Sequence, residues 1–197
     1  LEKIPTTRST QQLQSGIVVI DNRTGDVVAL SGGVGEKTDF FAYNKATQAK
    51  LQTGSSQKPI SVSAPAFEKG GFSPATVIKD MPVEYIDGTP FPRNDNREYN
   101  YSRTIFSGIV SSVNAISANT LMAITPSYGY SFAKYNFGQE SLVDSLPGAD
   151  GKSLSDIAVA PLALGALTKG ATVREMSAAY ATFANNGTYR EPRTYTK

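Results

Sequence analysis

The sequence contains no histidine, no cysteine and no tryptophan. Without histidine there can be no Ser-His-Asp triad, no His-Glu-x-x-His zinc site and no imidazole base. Without cysteine there is no thiol nucleophile, no disulfide and no thiolate metal site. Any covalent catalysis must therefore rest on Ser, Thr, Tyr, Lys or a carboxylate, and the proton acceptor on Lys, Asp, Glu, Tyr or an amine. Charge of one sign is also lacking: 19 basic against 17 acidic residues leave +2, with no basic run to attract nucleic acid. Long apolar runs are absent too. The longest, Ile157 to Leu167, is too short for a membrane span and is interrupted by Pro161 and Gly165.

What is present fits one globular domain of ordinary size: 197 residues, 40% hydrophobic, with 17 Gly and 11 Pro. The chain opens on Leu1 and is expected to be part of a longer protein. Residues 1–15 are polar and read as a linker or entry arm. Two β-branched runs, Ile17 to Ile20 and Val27 to Leu30, flank the turn residues Asp21-Asn22-Arg23-Thr24-Gly25 and predict a β-hairpin. A helix is expected from Ser55 to Gly70, with Pro59 in its first turn and a bend at Pro65. Asp80 to Asn100, rich in Pro, Asp and Asn, reads as loop. Thr104 to Ile124 is apolar at helical spacing, broken near Ser111-Ser112 and stopped by Pro126. Thr172 and Glu175 form a capping box that opens a helix to Asn186, striped by Val173, Met176, Tyr180 and Phe183 and ended by Gly187. Thr188 to Lys197 reads as the start of a strand. The order predicts an α/β fold with a mostly antiparallel sheet.

With His and Cys gone, a lysine one helical turn from a serine is the pattern to look for, because a neutral lysine can take the hydroxyl proton. Ser55-Ser56-Gln57-Lys58 has this spacing. So does Ser131-Phe132-Ala133-Lys134, but its neighbours Tyr128, Tyr130, Tyr135 and Phe137 mark a packing helix. Chance supplies about one such pattern in a chain this long, so Ser55 taken alone reads equally well as the start of a surface helix.

The context is more specific. Asn44-Lys45-Ala46-Thr47-Gln48 followed by Thr53-Gly54-Ser55-Ser56-Gln57-Lys58-Pro59 resembles the transpeptidase domain of class A penicillin-binding proteins. So do the hairpin with Gly32-Gly33 after it, Ala66 to Gly70, Pro74 to Ile78, and the run from Glu175 to Gly187. These pieces are collinear and run from Gly16 to the C-terminus. The resemblance implies a penicillin-binding protein/serine β-lactamase-like fold over residues 16–197, an antiparallel sheet flanked by helices. It also implies Ser55 as nucleophile and Lys58 as general base.

The family's second motif, S-x-N, has two candidates, Ser112-Val113-Asn114 and Ser117-Ala118-Asn119. The first falls at the helix break, where a loop can aim both side chains into a cleft, and is preferred. Ser112 is then the expected proton relay and Asn114 a substrate-binding residue. Ser117 and Asn119 read as a solvated helix face.

The third motif, K-T-G, is missing: Arg23-Thr24-Gly25 lies in the first hairpin and Thr168-Lys169-Gly170 has the wrong order. The resemblance therefore implies a domain cut off before K-T-G, inactive alone, whose later strands come from a second fragment of the same domain.

The implied activity is D,D-transpeptidation of peptidoglycan stem peptides ending in D-Ala-D-Ala, inhibited by β-lactams that acylate Ser55. No metal or organic cofactor and no nucleic acid is implied. The expected location is the extracytoplasmic face of a bacterial membrane. A penicillin-recognising sensor and a D,D-carboxypeptidase or β-lactamase-type hydrolase are the alternatives.

Overall fold

The computed structural model describes residues 13–37, 40–149 and 151–195. In chain order the elements are β1 (Ile17–Ile20), β2 (Val27–Ser31), a 3-10 turn (Gly54–Gln57), a π turn (Pro59–Ser63), α1 (Ala64–Lys69), β3 (Val77–Asp80), β4 (Glu84–Ile86), β5 (Thr89–Phe91) and β6 (Tyr101–Thr104). There follow α2 (Ile105–Val110), α3 (Asn114–Ile124), α4 (Pro126–Asn136), β7 (Leu146–Pro147), β8 (Ser153–Leu154), α5 (Val159–Leu164) and α6 (Val173–Ala184). They form two compact units. One comprises the described residues up to Leu51, Phe137–Glu140 and those from Ala171 onward; the other holds Gln52–Asn136 and Ser141–Gly170.

In the first unit β1 and β2 pair antiparallel, with an irregularity where Ile20 pairs Val27. Asp21 organises the turn, its carbonyl accepting from Gly25 N (2.8 Å) and its carboxylate from Arg23 N (2.9 Å). Helix α6 packs on β1 and begins at the expected capping box: Thr172 Oγ1 accepts from Glu175 N (3.1 Å), and Glu175 Oε2 accepts from Thr172 N (2.9 Å). Its buried side is not the expected stripe but Ala178, Ala179 and Thr182. Small residues let a helix approach its neighbour closely, while the bulky Tyr180 and Phe183 meet edge-on, centroids 5.8 Å apart, with Phe183 also 5.0 Å from Phe137. Of the expected C-terminal strand, Thr188 to Lys197, the described residues hold a single parallel bridge, Arg193 to Asp26, and its last two residues lie outside them.

The second unit is built around α3. Ala115, Ile116, Ala118, Leu121 and Ile124 are all buried, together with Ser117 and Thr120, so this helix is enclosed rather than amphipathic. The π turn, α1, α2, α4 and α5 surround it, and the β3–β6 ribbon lies along it. The break expected near Ser111-Ser112 separates α2 from α3. Pro126 does more than stop a helix: after Thr125 it opens α4.

One local expectation is corrected. The stretch Asp80 to Asn100 is not all loop, since it contains the β4–β5 hairpin turning at Asp87-Gly88; three-residue strands interrupted by proline carry no readable alternation. The expected α/β architecture with antiparallel pairing is present, its sheet forming, among the described residues, a set of two-stranded antiparallel ribbons.

Residues 54–69 are helical as expected but in three tightnesses. The 3-10 turn passes into a π turn, whose bond from Ala64 N–H to Pro59 O brings Pro65 into the first turn of α1, where its missing N–H costs nothing.

The entry to this helix is set by two glycines. Gly54 lies at φ +54°, and Gly165, at φ +72°, sits against it: a Cβ on Gly165 would meet the Gly54 backbone at 2.1 Å. Gly54 N and Thr53 Oγ1 both donate to Gly165 O, at 3.3 and 3.4 Å. Gly54→Ala should cost only the left-handed strain, roughly 1–2 kcal/mol. Gly165→Ala carries that strain and a backbone collision as well. Thermal melts should therefore show the larger fall in Tm for Gly165→Ala; equal falls would mean that the close approach is not needed.

Candidate active site

Ser55 and Lys58 lie three residues apart across the 3-10 turn, in which side chains at that spacing share a face. Ser55 is exposed and Lys58 is buried, only 6% accessible. The intervening residues are turned elsewhere: Gln57 is fully buried, and Ser56 Oγ donates to Thr53 O at 2.6 Å.

The end of Lys58 reaches the loop between α2 and α3. Its Nζ donates to Ser112 O (2.7 Å), Ser112 Oγ (3.1 Å) and Asn114 Oδ1 (2.6 Å). Ser112 stands at φ +50°, a left-handed conformation that a serine holds only at some cost, and this turns both its carbonyl and its hydroxyl to the lysine. Asn114 is fixed the other way round: its Nδ2 donates to Arg93 O (2.8 Å), so its oxygen must face Lys58.

The structure thus brings Lys58, Ser112 and Asn114 together, 54 and 56 residues apart in sequence. The alternative pair is elsewhere. Ser117 Oγ bonds back to Val113 O at 3.1 Å, and Asn119 Nδ2 donates to Met81 O and Ala115 O. The expectation that these two form a solvated face is corrected: Ser117 is buried inside α3 and Asn119 is half-buried, because α3 is enclosed on nearly all sides.

Among the described residues no carboxylate balances the Lys58 ammonium, and burial pushes its pKa down from 10.5 to about 8. The unfolded chain then holds this proton more tightly than the folded one, so stability from this group grows as pH rises from about 8 toward 10.5. The lysine of the other Ser-x-x-Lys behaves oppositely. On α4, Lys134 Nζ donates to Tyr130 Oη (2.9 Å) and to Leu142 O beyond the helix (3.2 Å), and the bond to Tyr130 raises its pKa. One lysine is prepared to lose a proton and the other to keep it.

The Transpeptidase family, described as the penicillin binding protein transpeptidase domain, matches residues 15–197. The chain belongs to this family. Penicillin-binding protein 1F of Bacillus subtilis (strain 168) is 35% identical over 184 residues, covering 92% of this chain and 23% of that protein. Penicillin-binding protein 4 of the same organism is 32% identical over 186 residues, 94% of this chain and 27% of its own length. Among solved structures, penicillin-binding protein 1A from Haemophilus influenzae superposes with a TM-score of 0.69 at 28% identity, over 87% of this chain and 23% of that one. PonA1 from Mycobacterium tuberculosis in complex with penicillin V also gives 0.69, at 26% identity, over 91% and 46%. The chain spans about a quarter of the length of the curated relatives it matches.

This penicillin-binding protein domain holds further site features that spacing could not reveal. The carbonyls of Arg93 and Ser112 are backbone atoms and leave no trace in residue identity. Asn94 and Asp80, described below, lie in a stretch whose Asn and Asp content signals turns. Among the described residues no group of acidic side chains is placed to hold a metal ion, and no helix is long and apolar enough to cross a membrane.

Proposed function

We propose that this chain carries the acyl-transfer centre of a D,D-transpeptidase that cross-links peptidoglycan stem peptides at the extracytoplasmic face of a bacterial membrane, with Ser55 as nucleophile. The observation that carries this reading is the set of three oxygens around Lys58 Nζ. A charged ammonium uses one N–H on each. A neutral amine has two, and the Ser112 carbonyl and the Asn114 amide oxygen can only accept, so they take both. The amine lone pair is then left for a hydroxyl, that of Ser55 or Ser112.

In the proposed reaction Ser55 Oγ gives its proton to Lys58 Nζ and bonds to the carbonyl carbon of the penultimate D-Ala. The tetrahedral oxyanion faces the Ser55 backbone N–H at the start of the helical segment. The C–N bond to the terminal D-Ala then breaks, and the proton passes from Lys58 through the Ser112 hydroxyl to the leaving nitrogen. An ester on Ser55 remains. The amine of a neighbouring stem peptide attacks the ester carbon and gives a proton to Lys58; as the new amide forms, the C–O bond to Ser55 breaks and Lys58 passes that proton to Ser55 Oγ, which restores both groups. Asn114 orients Lys58 and offers hydrogen bonds to the bound acyl chain. A β-lactam enters the same path but keeps its leaving nitrogen tethered, so Ser55 stays acylated. The penicillin V complex of the related PonA1 supports that extension.

Two measurements test the reading. Acylation by a β-lactam should rise with pH through about 8 and then level, because only neutral Lys58 is a base; at pH 7 about a tenth of the lysine is neutral. Release of D-Ala from a D-Ala-D-Ala peptide should yield cross-linked product when an acceptor amine is supplied. Hydrolysis alone, whatever the amine, would make the protein a carboxypeptidase, and acylation without release would make it a sensor.

A further inference from the structure

Helix α3 carries Asn114 as its first residue, yet the residue before it, Val113, has no side-chain oxygen and makes no cap bond. A helix start with an apolar N-cap leaves amide donors unanswered. Here one of them is answered from 21 residues away: Ala115 N donates to Asn94 Oδ1 at 3.0 Å, inside the protein.

The orientation of Asn94 is dictated by its other bonds. Its Nδ2 donates to Asp80 Oδ1 (2.8 Å) and to Glu98 O (2.8 Å), neither of which can donate in return, so the amide oxygen has to point at α3. Asp80 is itself fully buried at the end of β3. Its second oxygen accepts from Asn100 N (3.0 Å) and Asn100 Nδ2 (3.2 Å) and pairs with the Arg103 guanidinium, Nε at 3.2 Å, which leaves the carboxylate satisfied. The residue next to Asn94 holds the same helix start, since Arg93 O takes the Nδ2 of Asn114.

We propose that Asn94, fixed by Asp80, is a positioning residue for acyl transfer: it caps α3 from outside the helix and thereby aims the Asn114 amide oxygen at Lys58. This rests on the function proposed above. Among the described residues no hydrogen bond joins Asn94 to Lys58, Ser55 or Ser112, and its influence on them passes through the start of α3.

The test uses a substitution that moves the cap back into the helix. In the protein that carries this chain, Asn94→Ala should slow β-lactam acylation by about tenfold to a hundredfold, the range expected for a small displacement of a catalytic group. The Ala115 amide should also exchange faster with solvent. Adding Val113→Thr, which keeps the buried shape and places a hydroxyl at the N-cap, should recover most of both losses. A purely structural loss at position 94 would not be answered by a hydroxyl at position 113. Acylation and exchange both unchanged in Asn94→Ala, or a double variant no better than the single, would overturn the proposal. If Asn94→Ala alone does not fold, a folded and reactive double variant supports the proposal, and a double variant equally unfolded overturns it. Failure of the functional reading shows separately, as an unsubstituted protein that forms no adduct on Ser55. Ala115 exchange in the single and double variants then decides the capping role by itself.

Discussion

Lys58→Ala will slow acylation by a β-lactam about a hundredfold to ten-thousandfold, the usual worth of a general base, and Lys134→Ala will leave it unchanged. Both lysines follow a serine by three residues, so their sequences do not separate them. Their surroundings do. Lys58 is buried among oxygens, with no carboxylate partner among the described residues, and has its pKa near 8, whereas Lys134 bonds to Tyr130 and is held in the charged form.

Removing Lys58 also strips Ser112 O and Asn114 Oδ1 of a donor, which costs some stability even where water takes its place at these part-buried oxygens. A fall in rate has therefore to be separated from a fall in stability. Lys58→Arg does this. A guanidinium keeps the charge and can still donate, but it is never neutral at working pH. If Lys58 supplies a base, Lys58→Arg will be as slow as Lys58→Ala while melting at a higher temperature. If it supplies only positive charge, Lys58→Arg will retain most of the rate, and the general-base role is lost.

The same contrast shows how far the sequence could be read. Hairpin β1–β2 and the capping box at Thr172 and Glu175 are local devices, each written in residues within one turn of each other, and both are present where the sequence placed them. The break between α2 and α3 was legible for the same reason. Which side of α6 would be buried was not: a period-3.6 stripe of large residues identifies a face but cannot say that Ala178, Ala179 and Thr182 pack more closely. The β4–β5 hairpin was hidden because its strands are three residues long and contain Pro90.

In the proposed site, Ser55, Lys58, Ser112 and Asn114 carry side-chain chemistry, but spacing alone offered two Ser-x-x-Lys and two Ser-x-Asn patterns, and the family resemblance and the neighbouring residues were needed to choose between them. Gly165, the carbonyl of Arg93 and the amide oxygen of Asn94 act through backbone position or through partners more than 20 residues distant. Nothing in residue identity couples position 94 to position 115. That coupling exists only because β3 ends in a carboxylate that must be buried, and an asparagine is what passes its constraint on to a helix with an apolar cap.

Ser55→Ala will abolish the β-lactam adduct altogether, while Ser56→Ala and Ser131→Ala will each leave it in place on intact-protein mass spectra. Three serines sit within three residues of a lysine in these two motifs, and geometry assigns them different tasks. A 3-10 turn advances about 120° per residue, so Ser55 shares the face of Lys58 while Ser56 is displaced by a third of a turn. Ser56 is further committed by the short bond from its hydroxyl to Thr53 O, 2.6 Å. Ser131 lies on α4, whose lysine is tied to Tyr130 and Leu142. The exposed Ser55 hydroxyl contributes little to folding, so Ser55→Ala should shift stability by no more than about 0.5 kcal/mol, as for most surface substitutions. A melt matching that of the unsubstituted protein, together with an unchanged mass after incubation with the β-lactam, is therefore the expected pair of results. An adduct that persists in Ser55→Ala and maps to Ser56 would mean that the turn unwinds to present the second serine. One that maps to Ser131 would move the active site to α4, and with it the role given to Lys58.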